Sequence, residues 1–127
     1  MQQCKQLSVS LDIDGKKGLQ LININDMIYF EYDGIINRIM IHTLKEKFYT
    51  MGTLKYFVEL LNNSGFNFKV VDRNNVVNID NIVYLDGSTK KAYFEYPVVS
   101  GSKGCTFSGK LFDEVYKDLA GGSVITT

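Results

Sequence analysis

A chain of 127 residues, 45% of them hydrophobic, has the size of one domain and enough apolar content to bury a core, which excludes a disordered tail. No apolar run approaches the roughly 18 residues a membrane-spanning helix needs, so a membrane protein of that kind is excluded as well. Fourteen basic side chains balance fourteen acidic ones beside a single histidine; this disfavours non-specific nucleic-acid binding through net charge but leaves room for a local basic face.

The opening segment MQQCKQLSVS lacks the apolar core of a signal peptide, which makes a cytoplasmic location the expectation. Leu7, Val9, Leu11 and Ile13 alternate with polar residues as in a half-buried strand, and Asp14-Gly15 supplies a tight turn. GLQLININ returns, the turn-prone Asn25-Asp26 intervenes, and MIYFEYD (27–33) follows as a strand. INRIMIHT (36–43) and KFYTM (47–51) complete a further hairpin.

The period then changes. Leu54, Phe57, Val58 and Leu61 fall on one helical face after Thr53, a capping residue, and Asn63-Ser64-Gly65 ends the helix. Strand patterns resume at 66–71, 76–79, 82–85 and 91–99, with Asp86-Gly87 as a second hairpin turn. Leu111, Phe112, Val115, Tyr116 and Leu119 form a second helical face, with Ser108 as cap, Gly121-Gly122 as stop and a tail (120–127) expected to fray. No linker, repeat or low-complexity segment divides the chain. The expectation is a single, mainly β domain over 1–127 with one internal helix (about 53–63) and one C-terminal helix (about 109–119).

The motifs of catalysis fit poorly. GCTFSGK (104–110) matches the G-x-x-x-x-G-K of a phosphate loop, but Leu111 stands where a magnesium-binding Ser or Thr belongs, and the hairpins around it are not a parallel α/β sheet. Glycines, Lys110 and a helix N-terminus still favour a phosphate oxygen there. His42, the only histidine, has no cysteine or carboxylate partners at ligand spacing, and Cys4 and Cys105 form neither a disulfide framework nor a metal site. Asp113-Glu114 suit the start of a helix, and the aromatics follow strand alternation or helix faces. No enzyme, cofactor or metal is expected.

What remains are three polar connections. DGIINR (33–38) brings Asn37 and Arg38 to a strand junction. VVDRNNVVNID (70–80) interrupts two apolar segments with Asp72, Arg73, Asn74 and Asn75. SGSKGCTFSGK carries Lys103 and Lys110 with no acid nearby. Taken singly, each is an ordinary solvated loop. Arginine and asparagine are nonetheless the side chains that best read guanine and adenine edges, so three such loops on one edge would make a reading head.

In order, NDMIYFEYDGIINRIMIHT, FYTMGTLKYFVELL, GFNFKVVDRNNVVNIDNI and FSGKLFDEVYKDL resemble the LytTR family of bacterial DNA-binding domains over about residues 5–119. The resemblance implies an elongated fold of about ten short strands in three small antiparallel sheets. It also implies sequence-specific binding of double-stranded DNA through loops entering successive major grooves, and transcriptional regulation at paired repeat sites, with a homodimer on DNA as an option. Such domains often follow a receiver domain in two-component response regulators; this chain is expected to stand alone or to be an excised output domain. Carried over by position, the DNA-facing residues are Asn37 and Arg38, then Arg73 and Asn74, then Lys110 with the Ser108 backbone; Lys103 is added as a phosphate contact from the loop reading. Two departures stand out. Asp72 occupies a position where the family commonly has histidine, and Ser108-Gly109-Lys110 replaces a Ser-Arg pair. They motivate a second expectation, a protein-interaction module on the same scaffold with weakened or lost DNA binding.

Overall fold

The computed structural model describes residues 5–127; Cys4 lies outside them. Strand β1 (Gln6–Ser10) pairs antiparallel with β2 (Leu19–Asn23). A 3-10 turn at Ile24–Asp26 leads into β3 (Tyr29–Asp33), which pairs with β4 (Arg38–His42), and β4 pairs with β5 (Lys47–Thr50). Helix α1 (Leu54–Asn62) follows, then β6 (Phe68–Asp72) and β7 (Asn75–Asn78). A second 3-10 turn at Ile79–Asn81 precedes β8 (Tyr84–Asp86) and β9 (Lys91–Tyr93), with β10 (Gly104–Thr106), α2 (Gly109–Leu119) and β11 (Ile125–Thr126) closing the chain.

The expected mainly β fold with two helices is the one found, with eleven strands among the described residues. The strands form two sheets rather than three, one of seven in the order β2-β1-β5-β4-β3-β7-β6 and one of four in the order β10-β9-β8-β11. The reason is β3, which pairs with β4 on one side and with β7 on the other and so fuses separate hairpins into one sheet.

That fused sheet is buried on both faces where β3, β7 and β6 run, because side chains alternate along a strand. Phe30 and Val76 face a core closed by Phe57 and Leu61 of α1, whereas Tyr29 and Val77 face a second core made with Leu85, Ala92 and Phe112. Val76 and Val77 thus supply one side chain to each core. Val71, on the face that Lys69 shares with Val77, lies in the second core, Val70 is exposed, and the register shifts between Val70 and Asp72.

The helices begin differently. Thr53 Oγ1 accepts the N–H of Tyr56 at 3.1 Å, the expected cap of α1. Ser108 holds the N-cap position of α2, but its hydroxyl makes no capping bond; its backbone N–H donates to Val71 O at 2.8 Å and ties the helix to β6. The expected strand 91–99 ends at Tyr93. The tail expected to fray is instead paired: β11 runs parallel to β8, with Ile125 N–H donating to Val83 O at 2.9 Å and Thr127 N–H to Leu85 O at 3.2 Å. A Cβ on Gly87 would lie 2.6 Å from Thr127 O, so the glycine makes room for that strand.

Candidate nucleic-acid interface

Strand register decides which loops share an edge. Asp33 pairs with Arg38 and Asp72 with Asn75, so the turns 34–37 and 73–74 close their hairpins beside each other. Tyr32 fastens them together: its N–H donates to Asn74 O at 2.9 Å and its hydroxyl to Asn37 Oδ1 at 2.9 Å. The third connection joins through Asn75 Nδ2, which donates to Thr106 O at 3.0 Å, and through the Ser108–Val71 bond. Asn37, Arg38, Arg73, Asn74, Ser108 and Lys110 are therefore brought to one edge.

Lys103 is not. Strand β10 runs from Gly104, opposite Tyr93, to Thr106, opposite Lys91, and Lys103 precedes its far end. Its ammonium donates to His42 Nδ1 at 3.2 Å and to Glu46 O, half-buried between strands. Burial, with Lys47 adding repulsion, holds its pKa below the ordinary lysine value. The phosphate-loop pattern dissolves in the same region. Gly104–Thr106 is strand, the ring of Tyr93 lies 2.8 Å from where a Gly104 Cβ would be, and the Cys105 thiol is buried with its pKa pushed up to about 12.

At the edge the polar side chains divide into two sets. Arg38 is engaged: Nε donates to Ile13 O at 3.0 Å, and Nη1 donates to Asn37 O at 2.9 Å and Ile36 O at 3.5 Å. Asn37, at φ 52, spends Oδ1 on Tyr32. Arg73, Asn74 and Lys110 are exposed, and among the described residues their side chains carry no ion pair or hydrogen bond. The acids serve their own turns. Asp33 Oδ1 accepts the N–H of Ile35 at 2.9 Å, and Asp72 Oδ1 accepts that of Arg73 at 2.8 Å.

The bond from Arg38 to Ile13 adds a fourth connection that sequence reasoning missed, the β1–β2 turn. It borders a crevice of about 190 Å³ lined by Asp12, Gly15, Arg38 and Met51. The two oxygens of Asp12 accept the N–H groups of Lys16 and Lys17, both at 2.9 Å, and those bonds, Lys17's foremost, lower the pKa of its carboxyl. Both lysine side chains are exposed. The signal was the Lys-Lys pair beside Asp14-Gly15; the bond from Arg38 to Ile13, 25 positions away, was not legible.

A β scaffold that lines unpaired cations and amides along one edge suits a long polyanion better than a small substrate. The family model of the LytTr DNA-binding domain matches residues 17–111, well over half of the chain, and the chain belongs to that family. The family is one of DNA-binding domains, so duplex DNA is the class of partner. Among solved structures the chain is similar to the LytTr DNA-binding domain of a protein described as a methyl-accepting/DNA response regulator from Bacillus cereus. The TM-score is 0.67 at 13% identity, over 94% of this chain and 99% of that one, which is a likeness of fold. No curated protein matches the chain. Among the described residues no helix is long and apolar enough to cross a membrane.

Proposed function

We propose that this domain regulates transcription by reading duplex DNA at paired sites, with the edge built from the turns 34–37 and 73–74 and the start of α2 set into successive major grooves. The observation that carries the reading is the convergence of those connections with Arg73, Asn74 and Lys110 exposed and unpaired. In this arrangement Arg73 reads a base, with Asn74 beside it. Lys110, a point charge without the planar fork of arginine, holds phosphate at the α2 N-terminus with the Ser108 backbone. Lys16 and Lys17 hold phosphate from the β1–β2 turn. Arg38 and Asn37 chiefly shape the first loop and add what donors they have left. Lys103 is assigned no DNA contact, because its ammonium is already engaged by His42 Nδ1 and Glu46 O away from the edge.

Selection of bound sequences from random duplex DNA at two salt concentrations tests the reading. A bidentate arginine–guanine contact gives about 1–3 kcal/mol of discrimination, so Arg73→Ala should relax preference at one base pair by roughly 5- to 150-fold. Lys110→Ala should weaken all sequences alike and reduce the salt slope by about one. Recovery of no preferred sequence by the wild-type domain would overturn base reading and leave the protein-interaction module in its place.

A further inference from the structure

We infer that Ile35 is a specificity-determining residue that packs against the C5-methyl group of a thymine in the major groove, an inference that rests on the DNA-reading function proposed above. Ile35 is 96% exposed, more than any other large apolar side chain among the described residues. It occupies the tip of the first loop, where the polar residues expected to read bases are partly engaged within the fold. Asn37 Oδ1 holds the Tyr32 hydroxyl, and Arg38 is tied to Ile13 O, Ile36 O and Asn37 O. The large side chain left open to solvent at this tip is therefore apolar.

The tip is also held in shape. Asp33 Oδ1 accepts the Ile35 N–H, Asn37 takes the left-handed backbone conformation at φ 52, and the Arg38 guanidinium donates to the loop carbonyls of Ile36 and Asn37. Isoleucine is branched at Cβ and has few rotamers, so little freedom remains to be lost when it docks. Ile35 shares its edge with Arg73, Asn74 and Lys110 through the Tyr32–Asn74 bond, which places it among groups suited to a phosphate-lined groove. The apolar feature such a groove offers is the thymine methyl, which separates thymine from cytosine at the same position. The first loop would then read by an apolar contact while the second reads by hydrogen bonds.

The test uses the sequence selected by the wild-type domain, with each thymine replaced in turn by deoxyuridine, which removes only the methyl group. Wild type should lose about fourfold in affinity at one position, the value of one buried methyl. Ile35→Ala should lose at least as much on the thymine duplex and show no further loss with deoxyuridine at that position; Ile35→Val should retain most of the wild-type sensitivity. Because the side chain is almost wholly exposed, the thermal midpoint of both variants should match wild type. If Ile35→Ala keeps the wild-type sensitivity to deoxyuridine, or weakens every sequence equally, this inference is overturned while the DNA-reading function stands. A wild-type domain that selects no sequence fails at the earlier step and takes this inference with it.

Discussion

At the scale of single residues, the edge separates side chains that face outward from those that hold the loops in shape. Asp72 belongs to both groups. Its Oδ1 accepts the Arg73 N–H at 2.8 Å, which fixes the turn that presents Arg73, yet its charge remains half-exposed beside the cations of the edge. Asparagine keeps the accepting oxygen and removes the charge, so Asp72→Asn isolates the electrostatic part. A unit charge a few ångströms from a phosphate acts with roughly 1 kcal/mol in water, and salt reduces it. Asp72→Asn is accordingly expected to tighten specific and random duplexes alike, by about two- to fivefold at low salt, as measured by fluorescence anisotropy on both DNAs. An unchanged affinity for random duplex would mean that the carboxylate points away from the phosphates. The arginine, asparagine and lysine of these loops were legible as polar interruptions between apolar segments. The engagement of Arg38 was not, because Ile13 lies 25 residues away and nothing in DGIINR announces it.

Among the elements, the strands with two buried faces carry the edge, and a polar cluster marks where the two cores part. His42 Nε2 lies 2.7 Å from Glu31 Oε1, and its Nδ1 accepts from Lys103, so the imidazole directs its own proton to the carboxylate. The ring stacks on Tyr29 at 4.3 Å between centroids, which joins the cluster to the second core. The bond from His42, against a smaller opposing effect of burial, holds the Glu31 carboxyl below the ordinary carboxylate pKa. A carboxyl with a lowered folded pKa contributes stability that is full above its unfolded pKa and is lost as pH falls through the folded one. Glu31→Gln should therefore be less stable than wild type at neutral pH, and the gap should close as pH falls below the carboxylate range. Urea midpoints measured across that interval check it, and a gap independent of pH would contradict the assignment. Element legibility followed the same division between local and distant causes. Helix α1 was readable because its period and its Thr53 cap are local. Strands β10 and β11 are two or three residues long and exist only through partners elsewhere in the chain, so the loose tail was the natural misreading, while the phosphate-loop pattern, already a poor fit in sequence, lies partly in strand β10.

For the whole molecule, fourteen positive and fourteen negative side chains give no net field to draw DNA in, so affinity has to come from where the cations stand. Lys16, Lys17, Arg73 and Lys110 are the exposed cations of the edge without a partner among the described residues. Lys90 on the neighbouring loop is paired with Asp113 at 3.0 Å, and Lys69 with Glu114 at 3.6 Å. Each phosphate neutralised contributes about −0.9 to the slope of log affinity against log salt, so with Arg73 given to a base the three lysines imply about −3 for each bound domain. That is shallow for a DNA-binding protein, and the same few charges give little hold on random sequence, which accords with the proposal that discrimination falls to Arg73. The Lys16→Ala/Lys17→Ala double variant should reduce the slope by about two while leaving the selected sequence unchanged, since phosphate contacts carry no base information. A double variant with the wild-type slope would remove the β1–β2 turn from the interface and confine contact to the three connections joined by Tyr32, Asn75 and Ser108.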